Sequence, residues 1–117
     1  KINHPQIKFY KEDFLKFNYD KLQKNFDVIL SDIAPNTTGH QSTDHLRLSS
    51  MLFDLIDLFD QLIIKGGVFV VKIWKGKEEK EIINCLKNKF SQVSYFKPNS
   101  SRKDSVEIFI IAKNFKL

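Results

Sequence analysis

Val68-Phe69-Val70-Val71-Lys72-Ile73-Trp74 is an apolar run with a single charge inside it. Its length and its β-branched and aromatic content are those of a strand, and Gly66-Gly67 punctuates its start. Unbroken apolar character, rather than alternation, marks a strand buried on both faces, as in a parallel sheet. Asp27-Val28-Ile29-Leu30-Ser31-Asp32 reads the same way. Ile7–Tyr10 and Val93–Phe96 are shorter strand candidates, and Val106–Ala112 completes the set.

Helices are expected between these strands. Leu48, Leu52, Leu55, Ile56, Phe59, Leu62 and Ile63 recur at helical spacing, while Asp54, Asp57, Asp60 and Gln61 fall on the other side. Ser42 or Thr43 is the expected N-cap, and Gly66-Gly67 the left-handed stop. A second helix is expected from Lys77 to Phe90, with Glu78, Glu79 and Glu81 near its start and Lys87 and Lys89 near its end, matching the helix dipole. Its apolar face is Ile82, Ile83, Leu86 and Phe90. A short helix is a further candidate over Tyr19–Asn25. Alternating strands and helices specify an α/β fold, a mostly parallel sheet with helices on both faces. No repeat or linker interrupts it, so residues 1–117 are read as one domain.

Composition narrows the function classes. Apolar residues make up 42% of the chain, with 11 Phe and only 4 Gly and 3 Pro, which excludes a disordered or fibrous protein. The lone Cys85 excludes a disulfide framework or a cysteine-rich zinc site. No stretch approaches the roughly 20 apolar residues of a membrane span. The expected setting is the cytoplasm, with no membrane partner and a monomeric state. Nineteen basic against 14 acidic residues give a net charge of +5. Such a surface attracts polyanions, so nucleic acid is the first partner to consider, although dispersed lysines also serve plain solubility.

In open parallel sheets, ligands bind beyond the carboxyl ends of the strands. Ser31-Asp32-Ile33-Ala34-Pro35-Asn36-Thr37-Thr38-Gly39-His40 is a polar loop in that position. Asp32 stands where the strand ends; an aspartate there either serves chemistry or caps its own turn. Lys72 lies near the carboxyl end of an apolar strand, where an ammonium needs a partner or water; a strand-end lysine can also reach outward to solvent. Glu107 repeats the pattern in Val106–Ala112, and Lys72 would pair with it if the strands are neighbours. Asp32, Lys72 and Glu107 together form an acid-base-acid group. No GxSxG elbow, GxxxxGK loop, CxxC or HExxH is present, and His4, His40 and His45 lack metal-ligand spacing, so no metal site is expected.

Three segments resemble a known family. Ser31-Asp32-Ile33-Ala34-Pro35-Asn36-Thr37-Thr38-Gly39, followed by Ser42-Thr43-Asp44-His45, resembles the signature loop of FtsJ-like (RrmJ-like) ribosomal RNA 2′-O-methyltransferases. Gly66-Gly67-Val68-Phe69-Val70-Val71-Lys72 resembles that family's next strand, and Lys97-Pro98-Asn99-Ser100-Ser101-Arg102 leading to Glu107 its last motif. The resemblance implies a Rossmann-like fold and an enzyme using S-adenosyl-L-methionine to methylate a ribose 2′-hydroxyl. The implied target is a uridine of large-subunit ribosomal RNA in the assembled subunit. Transfer RNA and messenger RNA caps are the alternative substrates of the same chemistry, and a non-catalytic RNA-binding remnant is the alternative from another class.

The resemblance also assigns residues. Of the family's Lys-Asp-Lys-Glu catalytic tetrad, Asp32, Lys72 and Glu107 match the last three. Asp13-Phe14 matches a pair whose acidic member contacts the adenine, and Asp32, Ala34 and Pro35 are placed against the cofactor. Asn36, Trp74, Lys75, Lys97, Ser101, Arg102 and Phe109 are the candidates for substrate RNA; Trp74 and Phe109 either stack on a base or pack in the core. The first tetrad lysine, the glycine-rich cofactor loop and the first two strands of the fold have no counterpart between Lys1 and Leu117. The expectation is therefore the C-terminal part of a methyltransferase domain whose activity needs the missing N-terminal part, with the strand at Val28 short of one lateral partner. Lys72 is expected to act as a general base or as a protonated group orienting the hydroxyl. The direction of its pKa shift stays open, because carboxylates raise it while burial and a second lysine lower it.

Overall fold

The computed structural model describes residues 11, 16–19, 26–32, 40–74, 79–97 and 107–116, without the side chains of 41, 42, 45 and 74. The strand candidate at Ile7–Tyr10 lies outside them, and of the helix candidate at Tyr19–Asn25 only Tyr19 is described. Four strands, β1 (Phe26–Ser31), β2 (Ile63–Trp74), β3 (Phe90–Phe96) and β4 (Glu107–Phe115), form one sheet in the order β1-β2-β4-β3. Three helical segments, α1 (Gln41–Asp57), α2 (Phe59–Leu62) and α3 (Glu79–Lys89), complete the described elements.

Only the β1–β2 pairing is parallel; β2–β4 and β3–β4 are antiparallel. This corrects the expectation of a mostly parallel sheet to a mixed one. β4 returns against β3 and inserts between β3 and β2, so it runs against both neighbours. The neighbourhood of the strands carrying Lys72 and Glu107, which the ion-pair argument required, is present: Trp74 pairs with Glu107 and Lys72 with Phe109.

One face of the sheet carries the core. Phe69, Val71 and Ile73 of β2 sit opposite Ala112, Ile110 and Ile108 of β4, and all six are buried. Leu48, Leu52, Leu55 and Ile56 of α1, Phe59 of α2, and Ile82 and Leu86 of α3 join them in a single cluster. Phe59 is fully buried and meets Phe69, Phe90 and Phe115 edge-on, at ring-centroid distances of 4.6, 5.9 and 6.4 Å. Among the described residues the helices thus cover one face, where helices on both were expected. The other face presents Val28, Leu30, Val68, Val70, Lys72, Phe109 and Ile111. Val28 and Leu30 are 52% and 74% exposed on β1, the outermost described strand on that side, which corrects the expectation that this strand is buried on both faces.

Several boundaries differ from their sequence expectations. The apolar period through Ile63 promised one helix, but α1 ends at Asp57 and α2 is a separate turn. The Leu58 amide donates to the Leu55 carbonyl and the Gln61 amide to that of Leu58, each at 3.0 Å, so the chain tightens to three-residue hydrogen bonding at the break. Ile63 already belongs to β2. Gly66 does adopt the left-handed region (φ 84°), but inside β2 rather than at a helix end. There the ladder steps from Phe26↔Ile63 to Val28↔Val68, so β2 bulges by several residues against β1. At the other end of α1 the N-cap is His40, whose carbonyl accepts the Asp44 amide at 3.0 Å; neither Ser42 nor Thr43 caps it. α3 keeps the expected charge pattern, with Glu79 and Glu81 in its first turn and Lys87 and Lys89 in its last, but it ends at Lys89, and Phe90, expected on its apolar face, opens β3.

Candidate active site

β1 and β2 run parallel, so their carboxyl ends meet at the same rim of the sheet. Ser31 pairs with Val71, which sets Asp32 level with Lys72. β4 runs the opposite way, so its first residue, Glu107, arrives at that rim beside Trp74. Three strand ends therefore deliver three charges to one place, on the face opposite the helices.

The geometry is that of a bridged cluster. Lys72 Nζ donates to Asp32 Oδ1 at 2.9 Å and lies 3.3 Å from Glu107 Oε2. The Lys72 side chain is 28% exposed, Asp32 69% and Glu107 46%, so the ammonium is sheltered while both acids face solvent. The hydrogen bond that Lys72 donates to Asp32, then that to Glu107, holds its pKa above the ordinary 10.5, against the opposing effect of burial. Lys72 is therefore cationic at neutral pH in this arrangement. Such a cluster can orient a hydroxyl and stabilise negative charge developing on its oxygen.

Phe109 lies directly across the ladder from Lys72 and is half-buried. Lys97 follows the end of β3 and is exposed. Trp74 closes β2 opposite Glu107. Asp13, Phe14, Ala34, Pro35, Asn36, Lys75, Ser101 and Arg102 lie outside the described residues. Sequence reasoning overlooked Phe96, which the register places opposite Phe109. Its signal was alternation within a short strand, which cannot name a neighbour without the pairing. Among the described residues there is no His, Cys, Asp and Glu grouping suited to a metal ion, and no helix long and apolar enough to cross a membrane.

The sequence profile of the FtsJ-like methyltransferase family matches residues 1–115. The chain belongs to this family. Two FtsJ-like relatives bear the name ribosomal RNA large subunit methyltransferase E. The one from Sinorhizobium fredii is 41% identical over 117 residues, covering 96% of this chain and 48% of the relative. The one from Gluconobacter oxydans is 40% identical over 97 residues, covering 83% of this chain and 36% of the relative. A Plasmodium falciparum protein whose crystal structure is described as a ribosomal RNA methyltransferase superimposes with a TM-score of 0.68 at 33% identity, over 79% of this chain and 48% of that one. This FtsJ-like chain thus spans about half or less of the length of those relatives.

Proposed function

We propose that the protein takes part in transfer of a methyl group from S-adenosyl-L-methionine to a ribose 2′-hydroxyl, on a uridine of large-subunit ribosomal RNA, in the cytoplasm. The observation that carries this reading is the Lys72 ammonium within hydrogen-bond reach of both Asp32 and Glu107. Family membership and the names of the relatives supply the substrate class.

The donor set suits the cofactor. Two carboxylates stand at an exposed rim, and such groups favour a ligand bearing a sulfonium cation. Asp32 is the described residue that would lie against it. When bound, the cofactor supplies a methyl carbon made electrophilic by its positive sulfur.

The chain's own residues then have two tasks, alignment and charge control. Asp32 and Glu107 fix the Lys72 side chain from two sides. Lys72, held as an ammonium, donates to the 2′-oxygen and stabilises the negative charge developing there as the hydroxyl proton passes to solvent water. Of the two roles weighed for Lys72, its raised pKa favours the protonated one. A base role requires a further positive charge next to the amine, since like charge favours the neutral form.

The test is methyl transfer by a full-length protein carrying this segment and by its Lys72→Ala variant, with cofactor binding followed by calorimetry. Loss of transfer with binding retained supports the reading; near wild-type transfer in the variant ends it.

A further inference from the structure

We infer that Phe96 is a stacking platform for an RNA base neighbouring the target nucleotide, an inference that rests on the methyl-transfer reading above. Asp32 stands level with Lys72, Lys72 pairs with Phe109, and Phe109 pairs with Phe96. Residues opposite one another across a ladder share a face. Asp32, Lys72, Phe109 and Phe96 therefore form one line across the sheet, on the face away from the helices. With strands about 4.8 Å apart, Phe96 stands about 10 Å from Lys72, the reach of an adjoining nucleotide.

Phe96 is 53% exposed at the end of an outer strand, where a large apolar ring gains nothing from the core. An exposed ring beside a charged site suits a base, whose flat face stacks on aromatic side chains irrespective of its sequence. The chain's net charge of +5 and the exposed Lys97 next in sequence favour a polyanion over an apolar protein partner. Tyr95 provides an internal contrast. It is 65% exposed, yet it pairs with Ile110 and so belongs to the helix-bearing face.

The experiment measures binding of the 117-residue chain to a short uridine-rich single-stranded RNA carrying one 2-aminopurine, read by affinity and by fluorescence quenching. Phe96→Leu keeps the bulk and removes the π-face; it is expected to weaken binding roughly five- to a hundredfold and to relieve the quenching. Phe96→Trp is expected to keep both, and Tyr95→Leu to change neither. Wild-type affinity and quenching in Phe96→Leu, an equal loss in Tyr95→Leu, or no RNA binding by the unmodified chain overturns the inference. Should the leucine variant melt early, Phe96→Trp carries the test, and failure of RNA to quench its added indole overturns the inference. If Phe96→Leu binds like wild type while methyl transfer still depends on Lys72, stacking falls and the methyl-transfer reading stands. If that dependence is absent, the reading itself fails.

Discussion

Lys72 reaches Asp32 across the β1–β2 ladder, with 2.9 Å between Nζ and Oδ1, so an ammonium near the end of one strand is anchored by the end of the next. The contact is possible because both strands point the same way and end at the same rim. Glu107, brought from the other side by an antiparallel strand, closes the cluster at 3.3 Å. A strand of any other direction in either place would put its charged end at the opposite edge of the sheet.

The raised pKa of Lys72 has a direct consequence for stability. A cation whose folded-state pKa exceeds its unfolded value contributes stability that is complete below the unfolded value and is lost as pH rises through the folded one. The protein is therefore expected to lose stability above pH 10.5, the ordinary lysine value, to an extent that Lys72→Met abolishes. Urea midpoints at stepped alkaline pH check this. Parallel loss in wild type and variant would mean that Lys72 is not held charged by its partners.

Asp32 is the first cause of that shift and Glu107 the second. Asp32→Asn should therefore lower the Lys72 pKa more than Glu107→Gln does. Lysine-selective NMR titration of the ammonium resolves the two. The reverse order would show that Glu107 is the main anchor.

Gly67 is required by packing. A Cβ there would lie 2.5 Å from Ile63 Cγ1 and 2.9 Å from the Ile64 carbonyl oxygen. Gly67→Ala is expected to cost about 1–3 kcal/mol by overpacking the β2 bulge, read as a lower denaturation midpoint. An unchanged midpoint would mean that the bulge relaxes freely.

Phe59 holds the three-way aromatic contact between α2 and the sheet, and it is fully buried. Phe59→Ala is expected to destabilise the fold by about 3–5 kcal/mol in chemical denaturation. A loss below about 1 kcal/mol would show that this cluster is not part of the core.

Much of this arrangement was visible in the chain before any coordinates. Lys72 and Glu107 stood out because each is a charge within an apolar strand, where burial demands a partner. Asp32 stood out because it ends one. Strand direction was not visible: an apolar run marks a strand but says nothing of its polarity, so the antiparallel insertion of β4 escaped, as did the exposure of β1. The end of the first helix escaped because Leu62 and Ile63 fit the helical period and the following strand equally well. Gly66 was correctly given left-handed backbone, yet a glycine pair marks a bend without saying which element bends. Phe96 needed the ladder register, which an isolated seven-residue strand does not encode.

The central claim is tested most directly by transfer of isotope-labelled methyl from S-adenosyl-L-methionine to large-subunit ribosomal RNA, with the product mapped by nuclease digestion. A full-length protein carrying this segment is expected to place label on a ribose 2′-oxygen, and its Lys72→Ala variant to reduce the rate by about 10²–10⁴-fold with cofactor binding retained. Label on a base, or a Lys72→Ala rate within a few-fold of wild type, would contradict it.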